Sequence, residues 1–379
     1  MKNIAVITMS HSLNYGGVLQ SVALNRALKK RGADVTFLVH QPPLVPYKSV
    51  KAYLAQRKTI CSSAGVKNKI RMAGGIAKTV IENRNYFNKK AKIARFQAFR
   101  NELKDTPYYA NCEAIKAADL HFDCYITGSD QVWNSKFSHG KLDPCYMLEF
   151  VEGDAKKYAY AASTGGKKPV EEIRQICERV KDFSGVSVRE DSLRKQLAEQ
   201  GTDALTVADP TLLISREVWR SLEKPVKLPE HYILVYCLDY DPALDACIQK
   251  VAEKTGYPVI DVFPNVSRVK SKSKKQCMRF GPAEFLYAMD HADCVLTNSF
   301  HALAFSYVFD KKFGCVLRRG QEERMTDFLD LLCVGDRVIS PQTYEKALEE
   351  IRYSIADIEQ LIQTSNDYLD HIVSTEVCK

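Results

Sequence analysis

Short apolar runs alternate with segments of helical periodicity along most of the chain. Residues 4–8 and 35–39 are continuous apolar runs, and residues 18–30 between them carry apolar side chains at helical spacing. Strand, helix and strand in that order predict a parallel sheet, because parallel neighbours need a crossover connection. Further strands are predicted at residues 124–127, 158–162, 186–188, 205–207, 233–238, 259–262, 294–297 and 313–316.

Two segments interrupt the alternation and divide the chain. Residues 44–112 are basic and largely helical, which indicates an insertion, and residues 222–231 carry two prolines and mixed charges, as linkers do. We therefore predict an N-terminal Rossmann-like domain over 1–221 and a second over 222–340. Helical periodicity over 322–333 and 343–372 predicts a helical tail, residues 341–379, that packs back across the domains.

The predicted fold class is α/β, with two Rossmann-like domains that face each other across a cleft. Ligands of open parallel sheets bind beyond the carboxyl ends of the strands, so the cleft is the expected site. The chain has 379 residues, of which 45% are hydrophobic and 26% charged, enough for two cores.

Composition indicates a cytoplasmic protein. The first apolar run is too short for a signal peptide, and no window approaches the roughly 18 apolar residues of a membrane-spanning helix. The twelve cysteines are scattered without a C-x-x-C pair, which favours buried reduced thiols over disulfides or a zinc site.

The net charge of +8 is unevenly distributed. Residues 48–104 contain 15 lysines and arginines against two acids, and residues 268–275 contain five basic residues. These runs are either solvated surface or contacts for an anionic partner, such as a phosphorylated substrate or an acidic membrane face. A nucleic-acid partner is not expected, because no recognition motif accompanies the charge.

His301 lies where the strand predicted at residues 294–297 gives way to a helix. Asn298 or Ser299 can cap that helix, so His301 falls in its first turn beside free backbone N–H groups that attract anions. We take His301 as a candidate catalytic residue, with Asn298 and Ser299 as candidates for substrate binding. The alternative is a ring that only donates to a nearby carbonyl.

Arg189 follows the strand predicted at residues 186–188, and Glu190 and Asp191 begin the next helix. Its guanidinium can hold a carboxylate or phosphate through two parallel hydrogen bonds, which makes it a second candidate for catalysis. An ion pair with a neighbouring acid explains the residue equally well, so both interpretations stay open.

Three further segments follow predicted strands. Residues 8–20 form a glycine-bearing turn unlike dinucleotide-binding or triphosphate-binding loops, and it either covers the cleft or is a plain tight turn. Taken singly, residues 127–134 and the arginines after the last strand are more typical of structure than of chemistry. The candidate substrate-binding residues here are Asn14, Tyr15, Gly16, Gly17, Ser129, Asp130, Arg318 and Arg324.

Seven short motifs give the chain a resemblance that spans nearly its whole length. In their order and spacing, they resemble those of the polysaccharide pyruvyl transferase family. They are Asn14-Tyr-Gly-Gly with Gln20, Gly128-Ser-Asp-Gln-Val-Trp-Asn, Ala162-Ser-Thr-Gly165, Ser187-Val-Arg-Glu190, Asp209-Pro-Thr-Leu-Leu, Thr297-Asn-Ser-Phe-His301 and Arg324-Met325.

The resemblance implies a fold like that of the GT-B glycosyltransferases, phosphoenolpyruvate as donor and a sugar as acceptor, without a further cofactor. The product would be a pyruvate ketal on two sugar hydroxyls, with phosphate released. Arg189 would bind the donor anion and His301 would act as acid or base: a helix N-terminus favours neutral imidazole, a bound phosphate the imidazolium. Ser299 stands where many members have arginine, which leaves Arg318, Arg319 or residues 270–275 to supply that charge.

The basic insertion suits an acceptor carried on a lipid diphosphate, with the protein peripheral at the inner face of the cell membrane. Two alternatives remain. One is a GT-B enzyme that uses nucleotide sugars, and the other is a non-catalytic glycan-assembly protein that docks on membranes.

Overall fold

A computed structural model of the chain describes residues 1–41, 86–262, 275–277 and 279–375. Within them the N-terminal half builds a parallel sheet of seven strands in the order β3-β2-β1-β4-β5-β6-β7. Its strands are β1 (Asn3–Ile7), β2 (Asp34–Val39), β3 (Lys104–Tyr108), β4 (Cys124–Thr127), β5 (Lys156–Ala162), β6 (Gly185–Val188) and β7 (Leu205–Thr206).

The C-terminal half builds a second parallel sheet in the order β10-β9-β8-β11-β12. Its central strands are continuous apolar runs with both faces buried, as parallel sheets covered by helices require. The predicted α/β class is therefore confirmed. The strands are β8 (Ile233–Tyr236), β9 (Val259–Asp261), β10 (Lys275–Gln276), β11 (Cys294–Thr297) and β12 (Lys312–Cys315).

Helices connect the strands and cover the sheets. Helix boundaries follow local capping chemistry: Asp241 accepts from the N–H groups of residues 243 and 244, and Gly256 ends the same helix in a left-handed conformation. The described helices are α1 (Tyr15–Lys30), α2 (Tyr86–Arg100), α3 (Cys112–Ala117), α4 (Val170–Arg179), α5 (Asp191–Ala198), α6 (Arg216–Ser221), α7 (Pro242–Thr255), α8 (Pro282–Asp290), α9 (Phe300–Val308), α10 (Glu322–Leu331) and α11 (Ala356–Ser374).

The N-terminal end of α1 packs into the second half of the molecule. The ring of Tyr15 stacks on Phe285 with centroids 4.4 Å apart, and its hydroxyl donates to the carbonyl of Phe280 at 2.9 Å. This contact brings the loop after β1 to the carboxyl end of β11, so residues of both sheets meet at one place.

The predicted insertion differs at its end. Residues 104–108 form β3, an edge strand that pairs with β2. The sequence Lys-Asp-Thr-Pro-Tyr is polar, and its proline is tolerated only where one side of the strand is unpaired. Residues 44–85 of the insertion and most of the basic run at 268–275 lie outside the described residues.

The predicted helical tail is interrupted. A 3-10 turn over Tyr344–Leu348 is followed by non-helical residues before α11, because Arg337 donates to the carbonyls of Lys346, Glu349 and Glu350. The helical prediction over 343–372 is therefore wrong for the residues between Leu348 and Ala356. Helix α11 returns to the first half, where the Ser365 hydroxyl accepts from the N–H of Ala208 at 2.8 Å.

Nine of the ten described cysteines are buried as free thiols, and Cys333 is exposed. Cys61 and Cys378 lie outside the described residues. Across the described ranges, no helix combines the length and apolarity needed to cross a bilayer.

Candidate active site

His301 lies in the first turn of α9, directly beyond the carboxyl end of β11. Its side chain is buried, and its Nε2 has no hydrogen-bond partner. Ser299 precedes the helix without capping it through its side chain, so the first N–H groups of α9 are left for another acceptor. Asp209 Oδ2 lies 3.6 Å from Nε2, beyond a normal hydrogen bond but close enough to attract a proton carried there.

Gly16 allows α1 to approach the other side of the His301 ring. A Cβ atom at this position would lie 2.1 Å from His301 Nδ1, where no side chain fits. Asn14 caps α1 by accepting from the N–H of Gly16 at 2.9 Å, and its Oδ1 also accepts from the hydroxyl of Tyr236 at the end of β8. The glycine-bearing turn thus joins the two sheets at His301.

Arg189 is buried and held by acids of its own half. Its Nε donates to Glu190 at 3.0 Å and its Nη1 to Asp209 at 2.9 Å, while Nη2 has no hydrogen-bond partner and lies 3.7 Å from Asp130. Of the two interpretations open in the sequence, the ion pair is present, and one nitrogen is left over.

Asp209 links the arginine and the histidine. Burial by itself raises the pKa of this carboxyl, but His301 and Arg189 outweigh burial and hold the pKa well below its usual range. Asp209 also accepts from the N–H and hydroxyl of Thr211, which fixes the turn after β7. In the sequence, Asp209 stands out only as part of one of the seven motifs, because its proximity to His301 depends on the contact between the two halves.

Arg324, in the first turn of α10, is the second buried guanidinium of the cluster. Its Nη1 donates to Gln321, and its Nε lies 3.5 Å from Glu190. Burial, reinforced by the charge of Arg189, lowers the pKa of Arg324 to about 10. Arg318 lies further out, in contact with Asp239 and Gln321.

Several polar atoms in this cluster are buried without a partner. Buried polar atoms without a hydrogen bond are rare in proteins, and several of them on neighbouring side chains are typical of a place for a polar ligand. Among the described residues they include Asp130 Oδ1, Arg189 Nη2, Glu190 Oε2, Ser299 Oγ, His301 Nε2 and Arg324 Nε.

Other predicted residues hold the site in place. The Asn298 amide bonds to the N–H of Leu238 and the carbonyl of Asp239, which fixes the loop after β8. Ser129 Oγ contacts Asp209 and accepts from the N–H of Asp130. Tyr15 packs in the core between the two halves of the molecule. Gly17, where a Cβ would lie 2.7 Å from the carbonyl of Met9, permits a close backbone approach.

A pocket of about 430 Å³ opens beside the cluster and shares Asn14 and Asp130 with it. His40, Asp143 and Phe137 also line it. No sequence pattern pointed to His40 or Asp143, because they lie far apart in the chain and outside the seven motifs.

Among the residues that the structure describes, two groups of side chains have donor atoms close enough to hold a metal ion: His40 with Asp143 and Cys145, and Glu223 with Asp290 and His291. In the first group, His40 Nε2 faces Asp143 and Nδ1 faces the carbonyl of Tyr109, each at 3.0 Å. An ion pair accounts for that geometry, because two acceptors hold both ring nitrogens as donors.

Comparisons with known proteins agree with this architecture. A family model described as polysaccharide pyruvyl transferase matches residues 14–318. The UDP-GlcNAc 2-epimerase of Methanocaldococcus jannaschii is 12% identical with a TM-score of 0.52, over 98% of this chain and 99% of that chain. A putative UDP-N-acetylglucosamine 2-epimerase of Listeria monocytogenes is 8% identical with a TM-score of 0.52, over 100% and 98%. These likenesses show the GT-B-like fold alone. A search of curated proteins found no match.

Proposed function

Because this chain belongs to the polysaccharide pyruvyl transferase family, we propose that it moves a pyruvyl group from phosphoenolpyruvate to two hydroxyls of a sugar in a cell-surface polysaccharide precursor. The observation that carries the proposal is the set of buried polar atoms without hydrogen-bond partners to which His301 Nε2 belongs. A small, densely charged donor with a phosphate and a carboxylate would supply partners for them.

The reaction needs one proton at carbon and two carbon–oxygen bonds. His301 donates a proton to C3 of phosphoenolpyruvate, which makes C2 electrophilic, and a sugar hydroxyl adds to C2. The C2–O bond to phosphate breaks, and the second hydroxyl adds to close the ketal. Of the two hydroxyl protons released, one balances the proton given to C3 and the other leaves with phosphate.

The charge of the cluster supports His301 as the acid. Three carboxylates, those of Asp130, Glu190 and Asp209, face the guanidinium groups of Arg189 and Arg324. The group is therefore negative with a neutral His301 and balanced with an imidazolium. An anionic donor binds better to the balanced form, which is also the form that holds a proton for C3.

Arg189 and Arg324 contribute the donor subsite through the nitrogens that make no hydrogen bond within the protein, Nη2 and Nε respectively, which lie 3.7 Å and 3.5 Å from carboxylate oxygens. The Ser299 hydroxyl and the first N–H groups of α9 add neutral donors where many relatives have an arginine. Hydrogen bonds from neutral donors, together with the positive end of the α9 dipole, thus replace part of the binding that the arginine would provide.

The decisive experiment incubates the purified protein with phosphoenolpyruvate and a panel of glycosides and follows phosphate release. Ketal formation adds a carboxyethylidene group to the acceptor, visible by mass spectrometry, and in D2O its methyl group acquires deuterium. Parallel incubations with UDP-sugars test the glycosyltransferase alternative, since nucleotide release there would overturn the proposal. Absence of turnover with every donor would favour the non-catalytic alternative.

The acceptor is proposed to be carried on a lipid diphosphate, with the protein peripheral at the inner face of the cell membrane. The basis is the charge of residues 48–104, since each basic residue near an anionic surface contributes roughly 1 kcal/mol. Co-sedimentation with liposomes should increase with the fraction of anionic lipid. Binding that ignores lipid charge would argue against this location.

A further inference from the structure

The pocket beside Asp130 differs in chemistry from the cluster around His301. Asn14, Gln41 and Gln131 present amides to it, and Ser12 and Ser138 present hydroxyls. No lysine or arginine of the described residues lines it, and its carboxylates are those of Asp130 and Asp143. The histidine of the lining, His40, is paired with Asp143, which leaves the charge of Asp130 in excess, so the lining repels phosphate and carboxylate and suits a neutral molecule rich in hydroxyl groups.

An exposed aromatic ring lies at the pocket. Phe137 is 59% exposed although it is large and apolar. It follows Asn134, which caps the short 3-10 helix Ser135–Ser138. The apolar face of a sugar ring could cover this surface, while the sugar hydroxyls reach the amides and carboxylates opposite.

The His40–Asp143 ion pair gives the pocket a fixed polar wall. Asp143 Oδ2 accepts a hydrogen bond from His40 Nε2 at 3.0 Å, and Asp143 Oδ1 accepts one from the N–H of Cys145 at 2.9 Å. Burial disfavours the charged ring, but its bonds to Asp143 and to the Tyr109 carbonyl outweigh burial and raise the pKa of His40. A carboxylate held in this way is oriented to accept from a ligand hydroxyl without rearranging.

Asp130 connects this pocket to the donor subsite. It lines the pocket, and its Oδ1 lies 3.7 Å from Arg189 Nη2 and 3.9 Å from Arg324 Nη2. A sugar in the pocket would thus present its hydroxyls beside the place proposed for phosphoenolpyruvate.

We propose that this pocket of about 430 Å³ is the acceptor subsite, that it takes a neutral sugar ring, and that Phe137 and the His40–Asp143 pair determine which sugar it accepts. The inference rests on the proposed function, because only the transfer reaction makes an acceptor necessary. It adds a division of the cleft by charge, with the anion on the arginine side and the neutral ring on the side of β2 and β4.

The test separates the two ligands. Saturation-transfer NMR with methyl glycosides of glucose, galactose, mannose, N-acetylglucosamine and N-acetylmannosamine measures sugar binding, and thermal shift with phosphoenolpyruvate measures donor binding. Phe137→Ala should weaken glycoside binding about tenfold, the value of one aromatic contact. Its response to phosphoenolpyruvate should equal that of the unaltered protein.

Two variants complete the design. Phe137→Tyr keeps an aromatic face and should restore glycoside binding. Tyr257→Ala removes a ring that stacks on His231 in the other half of the molecule and should change neither ligand.

The outcomes distinguish the two proposals. If phosphoenolpyruvate stabilises the protein but Phe137→Ala binds glycosides normally, or no glycoside binds at all, the acceptor subsite is wrong. If glycosides bind in a Phe137-dependent way but phosphoenolpyruvate neither binds nor reacts, the pocket stands as a sugar site and the transfer reaction fails.

Discussion

At the scale of single residues, the same side chains build the site and are proposed to perform its chemistry. Arg189 donates hydrogen bonds from two of its nitrogens to Glu190 and Asp209, and its third nitrogen has no hydrogen-bond partner. His301 shows the opposite balance, with Nε2 unbonded and the other face of its ring against Gly16. Substitutions at the two positions should therefore differ in their effect on stability.

Arg189→Ala should lower the free energy of unfolding by about 3–5 kcal/mol, because it leaves buried carboxylates without their counter-ion. The KM for phosphoenolpyruvate should also rise, through loss of Nη2. Denaturant unfolding and donor kinetics measure the two effects. Arg174→Ala, at an exposed arginine of α4, is the control. Unchanged stability would contradict the ion-pair assignment.

His301→Ala should reduce pyruvyl transfer by about 10²–10⁴-fold or more, the usual contribution of a general acid. The melting temperature should fall less than in Arg189→Ala, because Nε2 makes no hydrogen bond, although removal of the buried ring leaves a cavity. His231→Ala, at an exposed ion-paired histidine, provides the comparison. Near-normal turnover of the His301 variant would exclude it as the acid.

At the scale of elements, helix ends place the chemistry. Helix α9 begins with an uncapped turn at Ser299, and α1 begins at Asn14 with glycines that let it meet His301. The precision of the site thus depends on how closely two helix ends approach.

Gly16→Ala tests that approach. The added methyl would overlap the His301 ring, so the ring must move, and turnover should fall by at least about tenfold while secondary structure is kept. Gly335→Ala is a matched control, because its Cβ would meet only Asp330 Oδ1, at 3.9 Å. Equal activity in both variants would show that His301 tolerates displacement.

The contact between the ends of α6 and α8 should make stability depend on pH. Burial and the charge of Asp290 raise the pKa of Glu223 to about 7 from its ordinary 4.5. A raised carboxyl pKa stabilises the fold at low pH, and this contribution is lost as the pH rises from about 4.5 through 7.

The free energy of unfolding of Glu223→Gln should accordingly equal that of the unaltered protein near pH 4.5 and be larger above pH 7. We expect roughly 1 kcal/mol, reduced for solvent screening at a half-buried site. Urea unfolding at both pH values measures the difference. A constant difference across the range would contradict a titrating Glu223.

The elements that could be predicted from the sequence are those whose secondary structure is determined by their own residues. Strand β8 is a continuous apolar run, and β11 is apolar up to Thr297, so their own residues predict buried strands. Strand β3 escaped prediction because a polar edge strand depends on its neighbour, and the break before α11 depends on Arg337.

The residues of the site also fall into those that the sequence could predict and those that it could not. His301 and Arg189 stand out in the sequence because each follows an apolar strand. Asp209, His40 and Asp143 acquire their surroundings from residues distant in the chain, and no local pattern contains that information.

At the scale of the whole molecule, the tail supports the site from behind. The Ser365 hydroxyl of α11 accepts from the N–H of Ala208, the residue before Asp209, and Tyr368 donates to the carbonyl of Ala159 in β5. The C-terminal segment therefore fixes backbone within β5 and directly after β7.

Ser365→Ala should leave the N–H of Ala208 buried without an acceptor and cost about 1–3 kcal/mol. Amide exchange at Ala208 should accelerate along with the loss of stability. Thr364→Ala, where the hydroxyl only bonds back to Gln360 in its own helix, should have little effect. Equal losses in the two variants would mean that the tail does not brace this backbone.

The contact between Gly16 and His301 also bears on how such enzymes can be recombined. The residue that requires empty space lies in the first strand-helix unit, and the ring that fills it comes from the second sheet. A chimera that joins the front half of one family member to the back half of another keeps a working site only if glycine and histidine arrive together. Both residues belong to motifs that this chain shares with the family, so a crossover anywhere between them should keep the pair, and activity should then depend on how well the two halves dock.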